Sequence, residues 1–396
     1  MRVYAFALIA PFIALCVSLA HPRDLATRNV VWLFIIFYGA AFFIAPESGT
    51  DSVRYAAWLE QMHAPGFGLK DLVGEFFAEG SRYQDIYQPL LTFFVSVFTD
   101  RHWLLFACFG VLLGYVFSRN VWFLIDRTPR DTYFATWLFV IAFAFQQDIG
   151  SSINGVRMWT ALHVFLFGFL YFYESGQKKF LLAMLLTPLI HFSFYLPLAA
   201  LAIFHFVKRY PLAIFAFFLL SFGNVIVDVG LVRQAINFIP LPLEMRASSY
   251  LAGGEAAQRA LDSGWAGATW FLQLNRFFLE AFTILTVSWF IWRGTYKKSP
   301  LIRNLLVFAM LFYGVVNMMS HIPSLGRFYN IPQMMILAAL VLSLGQSGKV
   351  KKFDKTIIFG LASLLALNVA LGLRFMLGFA SIWLFIGNLL VAPFVD

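Results

Sequence analysis

The sequence predicts an all-α, polytopic integral membrane protein: a helical bundle of about 11–14 spans forming a single transmembrane domain over residues 1–396. Three observations predict it. Of the 396 residues, 61% are hydrophobic and 12% are charged, about half the roughly 25% charge of a soluble domain. Mean hydropathy is +0.77. Apolar runs approaching the ~20 residues needed to span a bilayer recur along the chain with short polar segments between them. Too little charge is present to coat soluble domains of this length, which excludes a water-soluble enzyme, a disordered regulator and a fibrous protein.

The runs follow one another in order. Val3–Ala20, Val30–Ala45, His102–Ile125 and Tyr133–Phe145 open the series. Val156–Tyr173, Phe180–Val207, Pro211–Val229 and Thr269–Trp292 continue it. Leu301–Met319, Phe328–Leu344, Thr356–Leu373 and Phe375–Val391 close it. The first run is read as a retained helix rather than a cleaved leader, because the next apolar segment follows so soon. Pro188, His191, Ser193 and Pro197 interrupt Phe180–Val207, and proline kinks a helix by removing a backbone donor; two short helices meeting near His191 are predicted. Gln88–Thr99 is short for a crossing and is expected to be a re-entrant or partial helix. Two long extracytoplasmic loops are expected, 46–87 and 230–268. The first is rich in acids (Glu47, Asp51, Glu60, Asp71, Glu75, Glu79, Asp85), which places it outside by composition, whereas strict alternation of spans places it inside if Gln88–Thr99 is a full crossing.

The net charge of +9 does not indicate a nucleic-acid partner, since no basic arm or stripe stands outside the apolar segments. The Lys and Arg residues instead sort onto alternate loops. Arg119–Arg130, Lys178-Lys179, Lys208-Arg209, Arg293–Arg303 and Lys349–Lys355 carry most of them and are cytoplasmic by the positive-inside rule. Arg157, Arg233, Arg246, Arg259 and Arg327 fall on the other side. Cys16 and Cys108 lie in apolar runs and are read as small buried hydrophobes.

Ionisable residues near membrane depth are costly and tend to mark sites. Arg157 follows a polar, small-residue turn that begins at Gln146 and includes Asn154. His191 sits with Ser193 at the interrupted run. Arg327 and Tyr329 lie in the polar turn after Met319, and Asp51, Arg54 and Tyr55 follow Ser48-Gly49-Thr50. Gln273, Asn275, Arg276 and Glu280 form a polar stripe with Arg276 and Glu280 at i,i+4. Each has a bland reading as well: snorkelling arginines, a satisfied core histidine, a surface ion pair at a helix start. His163, mid-helix among aromatics, is read as structural. What favours a site is that two arginines, a histidine and a carboxylate fall on one side of the membrane. Guanidinium groups bind phosphate oxygens with charge-assisted hydrogen bonds, and an imidazole can take a proton from an attacking hydroxyl. No carboxylate pair at ligand-like spacing stands out, so neither a metal nor a cofactor is expected.

These elements resemble the EpsG-like, Wzy-type polymerases of bacterial polysaccharide repeat units. Gly49-Thr50-Asp51-Ser52-Val53-Arg54-Tyr55 looks like that family's G-x-D-x-x-x-Y element. Asp85-Ile86-Tyr87-Gln88-Pro89-Leu90 is similar to its acidic-x-aromatic-x-x-Leu element, with Asp85 where Glu is usual. Asn154-Gly155-Val156-Arg157-Met158-Trp159-Thr160-Ala161 looks like its N-x-x-R-Q-x-x-A helix start, with Met158 in place of Gln. Ile190-His191-Phe192-Ser193 and Gly326-Arg327-Phe328-Tyr329 match two later elements.

The resemblance implies a GT-C-like fold in the bacterial inner membrane, with an active face outside. It implies undecaprenyl-diphosphate-linked oligosaccharides as donor and acceptor, and a flippase and chain-length regulator as partners in the same process. Arg157 and Arg327 would hold the donor diphosphate, with His191 as the base supported by Ser193. Asp51, Arg54, Tyr55, Asn154, Arg276 and Tyr329 would bind substrate. Two rivals stand beside this reading: a transporter or flippase for the lipid-linked sugar, and an O-antigen ligase or other membrane transferase.

Overall fold

Residues this apolar gain little by folding as anything but helices, which satisfy every backbone group within the segment. The computed structural model describes residues 2–44, 50–78, 81, 83, 85–129, 134–223, 269–320, 322, 325–346 and 352–386. Among these the structure is helical, and an isolated antiparallel bridge, Phe42 to Ala380, accompanies the helices. Six helices are long and apolar enough to cross a membrane: His102–Asp126, Val156–Ser175, Trp270–Arg293, Pro300–Met318, Leu325–Gln346 and Asp354–Gly378. Shorter apolar helices cover Leu25–Ala40, Phe192–Val207 and Pro211–Leu220. The described residues belong to two compact units: Met1–Arg127, Gln147–Phe194 and Ala370–Asp396 in the first, Thr128–Gln146 and Tyr195–Val369 in the second.

The first unit is organised on Leu25–Ala40 against His102–Asp126. Small residues allow a close backbone approach there. A Cβ on Gly39 would stand 2.2 Å from the Phe106 carbonyl oxygen, and one on Gly110 would stand 2.7 Å from that of Ile35. Val156–Ser175 packs on the same long helix. Asn120 Nδ2 donates to the His163 carbonyl at 2.9 Å, and the buried His163 ring stands edge-on to Phe117; His163 is a structural residue. The second unit is built on Pro300–Met318 and Asn330–Gln346, nearly every residue of which is buried from Leu305 to Gly314 and from Ile331 to Leu344. Ser299 caps the former by accepting from the Ile302 N–H, with Pro300 at the first helical position.

Several elements differ from expectation for identifiable reasons. Val3–Ala20 is two helices, Arg2–Ile9 and Pro11–Leu19, divided at Ala10 because Pro11 supplies no N–H. The acidic segment 46–87 is not a plain loop: it holds the helices Asp51–His63 and Leu69–Phe77. Tyr87–Ser96 is a ten-residue helix, about 15 Å long and half the ~30 Å hydrocarbon core, in keeping with a partial helix. The break expected at Arg374 falls instead at Leu365, between Lys352–Leu364 and Ala366–Gly378; Arg374 keeps an exposed place on the latter helix. Cys16 is exposed rather than buried, and Cys108 is half-buried. The expected loop 230–268 lies outside the described residues, and with it Arg233, Arg246 and Arg259.

Candidate functional site

In the first unit, two helix starts and one helix end bring the candidate residues together. Thr50 precedes Asp51–His63, and the acid at its first position suits the positive end of the helix dipole. Asn154 ends Ile149–Asn154 and accepts from the Ser52 N–H at 3.1 Å, so a side chain 102 residues away satisfies an otherwise orphaned donor of that helix. Asp51 forms an ion pair with Arg54 one turn on, and Arg54 is mostly exposed. Tyr55 is buried on the same helix, against Trp58 and Phe109.

Arg157 opens the helix Val156–Ser175. An arginine at the positive end of a helix needs compensation, and here it is local. Its Nη1 donates to Asp85 Oδ2 at 3.0 Å, and its Nε donates to the Tyr55 hydroxyl at 3.1 Å. The Asp85 side chain is 1% exposed and that of Arg157 17%, so this is a buried ion pair rather than a snorkelling arginine. Burial raises the Tyr55 phenol above the ordinary tyrosine range, against the opposing pull of Arg157, and keeps it neutral.

His191 lies where the predicted break falls. Thr187–Ile190 ends at His191, whose backbone is extended (φ −149°, ψ 117°), and a 3₁₀ turn follows at Phe192–Phe194. The residue is 8% exposed, with Nδ1 2.6 Å from Ser193 Oγ. When Nδ1 is the donor in that bond, Nε2 is the basic nitrogen. The Ile86 N–H donates to the Leu189 carbonyl at 3.1 Å, joining the segment that carries Asp85 to the one that carries His191.

The second unit holds the remaining candidates. Arg276 Nε donates to Glu280 Oε1 at 2.8 Å, and its guanidinium lies 6.0 Å from the Tyr329 ring centroid. Tyr329 donates to Asn317 Oδ1 at 2.8 Å, and Asn317 Nδ2 donates to Ser221 Oγ at 2.8 Å. The Tyr313 and Tyr329 rings are 4.9 Å apart. Arg327 is exposed on the 3₁₀ turn Leu325–Tyr329 and pairs with no carboxylate among the described residues. Its backbone carbonyl accepts from Asn330, which in turn accepts from Gln146, and Gln146 also donates to Gln333 at 2.7 Å.

Within its own unit, each group of candidates is therefore assembled. Asp51, Arg54, Tyr55, Asn154 and Arg157 form one connected set, with His191 and Ser193 on the adjoining break. Arg276 and Tyr329 touch, beside the turn that carries Arg327. Sequence reasoning missed Asp85 as the partner of Arg157, and also Asn317 and Gln146. The available signal for Asp85 was its place two residues before the aromatic-x-Pro segment Tyr87-Gln88-Pro89. Among the described residues no group of three or more His, Cys, Asp or Glu side chains is arranged to hold a metal ion.

Long apolar helices that carry ionisable groups at their ends define a polytopic membrane protein. More particularly, the chain belongs to the EpsG family, whose model matches residues 29–377, a range that contains all the candidate residues. The family is one of polysaccharide polymerase-type membrane proteins. Comparison with curated proteins and with solved structures gave no match.

Proposed function

We propose that this chain is a glycosyltransferase that joins undecaprenyl-diphosphate-linked oligosaccharide repeat units at the outer face of the bacterial inner membrane. A hydroxyl oxygen of the acceptor unit attacks the anomeric carbon of the growing glycan. The bond from that carbon to the diphosphate oxygen breaks, its electron pair leaves with undecaprenyl diphosphate, and the hydroxyl proton passes to His191.

The observation that supports this reading best is the fixed guanidinium of Arg157. Asp85 and Tyr55 occupy two of its five N–H groups, leaving donors of set geometry for phosphate oxygens. Asp85 neutralises the charge of Arg157, so it supplies oriented donors more than net charge. Arg327, exposed and without a carboxylate partner among the described residues, is assigned to anionic groups of the substrate as a full charge. Ser193 orients the His191 ring through its 2.6 Å contact. Asn154 positions the Asp51–Tyr55 turn rather than touching substrate, since its carboxamide oxygen is taken by Ser52. Arg276 and Tyr329 offer a cation and an aromatic face for sugar.

The test uses purified protein in nanodiscs with lipid-linked repeat unit isolated from cells of the source strain lacking this gene. Wild type is expected to give a ladder of longer lipid-linked products without added nucleotide sugar. His191→Ala should lower the rate by about 10²-fold or more, the contribution of a positioned general base, while its circular-dichroism spectrum and gel-filtration profile stay those of the folded wild type. A wild type that moves sugar across the bilayer without lengthening it would show a transporter, and transfer only to a different acceptor would show a ligase.

A further inference from the structure

The first unit carries two further arginines that the proposed reaction does not use. Arg119 lies in the membrane-length helix His102–Asp126, seven residues before its end, or about 10 Å along the axis. Its guanidinium is held between rings, 4.4 Å from the Tyr115 centroid and 5.4 Å from that of Trp32. It donates to Asn29 Oδ1 at 2.9 Å and to Ser118 Oγ at 3.0 Å. Arg28, on the first turn of Leu25–Ala40, is near enough for the two like charges to repel. Its Nε is buried and makes no hydrogen bond to the described residues. Among the described residues neither arginine pairs with a carboxylate.

Two neighbouring cations at the edge of a hydrocarbon layer, with no acid between them, are expensive unless an anion joins them. No carboxylate among the described residues pairs with either of them, in contrast to Asp85 at Arg157 and Glu174 at Arg127. The face on which Arg119 stands indicates the source. Val111 and Tyr115, each four residues apart on the way to Arg119, are both exposed, so this stripe of the helix meets acyl chains. The anion therefore comes from the lipid itself. Trp32 and Tyr115 beside it are the residue types that favour the headgroup boundary.

We propose that Arg28 and Arg119 together bind the phosphate of an anionic phospholipid headgroup at this end of the first unit, with Trp32 and Tyr115 forming an aromatic collar. Basic pockets between helices are suited to such headgroups. The site is independent of the glycosyl-transfer reading and stands or falls without it.

The experiment measures phospholipid retained by the full-length protein after delipidation in detergent. Native mass spectrometry counts bound phosphatidylglycerol, and thermal unfolding follows its addition. Wild type is expected to keep phosphatidylglycerol in preference to phosphatidylcholine and to be stabilised by it. Arg28→Gln should weaken retention about fivefold, and R28Q/R119Q about twenty-five-fold, at roughly one screened charge contact per arginine. Equal retention of the two lipids, or wild-type retention by R28Q/R119Q, would overturn the proposal. So would inorganic phosphate stabilising the wild type as well as phosphatidylglycerol does, since the anion would then not be a lipid. Should the double variant fail to fold, Arg28→Gln decides alone, because that side chain makes no hydrogen bond among the described residues that the fold would lose.

Discussion

Arg157 and Arg327 present the same guanidinium in opposite settings. In the first unit Arg157 is buried, paired with an almost fully buried aspartate and bonded to a buried tyrosine. In the second, Arg327 stands exposed on a 3₁₀ turn whose backbone, not its side chain, is held by an amide network. A buried charge pair is costly to break because removal of one partner strands the other. An exposed arginine costs almost nothing to remove from the fold. Loss of activity therefore carries different information at the two positions: at 157 it mixes folding with chemistry, while at 327 it isolates substrate interaction.

The largest expected effect breaks the first half of this comparison. Asp85→Ala leaves Arg157 without its counter-ion and should destabilise the protein by about 3–5 kcal/mol, seen as a large fall in the thermal midpoint by intrinsic fluorescence in detergent. Replacing both partners with Met and Leu of similar volume should recover much of that loss. A wild-type midpoint for Asp85→Ala would mean that the pair does not hold the first unit together.

The second prediction concerns the exposed arginine. Arg327→Ala should leave stability within about 0.5 kcal/mol of wild type and lower polymerisation by about 10²-fold, the scale of losing one donor to developing charge. Arg327→Lys should recover part of the rate, because an ammonium keeps the charge and loses the planar fork. A normal ladder from Arg327→Ala would remove this residue from the site.

What the sequence disclosed follows the same division between local and distant. The break at His191 was legible because Pro188 and Pro197 act on their own neighbours. The membrane class was legible because it depends on composition. The helix Asp51–His63 was legible only at its start, although Tyr55, Leu59 and Met62 recur at helical spacing and are its buried face; a search for spans passes over a helix that is polar on its other sides. The boundary between the runs Thr356–Leu373 and Phe375–Val391 shows the converse, since a single charge divides an apolar run in sequence while the helix Ala366–Gly378 carries Arg374 exposed along it. Asp85 was beyond reach as the partner of Arg157. Its segment offers several acids, and only tertiary packing selects the one that meets residue 157.

A third prediction tests the second unit's polar network. Asn317→Ala removes the acceptor for Tyr329 and the donor to Ser221, leaving the Tyr329 hydroxyl to find another partner while Ser221 keeps its bond to the Phe218 carbonyl. The expected cost is about 1–3 kcal/mol, since a part-buried polar group loses its bond. If Tyr329 binds sugar, the Michaelis constant for the lipid-linked acceptor should rise more than the turnover number falls. Equal stability of Asn317→Ala and wild type would show that water replaces the network at no cost.

The smallest effect is expected at Arg54. Its ion pair with Asp51 is a one-turn helix contact, and its side chain is 59% exposed, so the attraction is screened and worth at most about 0.5 kcal/mol. Arg54→Ala should therefore leave the thermal midpoint nearly unchanged, and added salt should shrink what difference from wild type there is. Stability is then a clean control for its proposed substrate role. If Arg54→Ala polymerises as wild type does, the pair is only a helix-start contact, and Asp51 serves the dipole of its own helix. A fall in activity at unchanged stability would instead place a second exposed arginine among the substrate-binding groups, on the same turn as Tyr55, one of the groups that hold Arg157. That outcome would shift the comparison from buried against exposed to one in which each unit has its own exposed cation, with Arg157 as the fixed donor in the first.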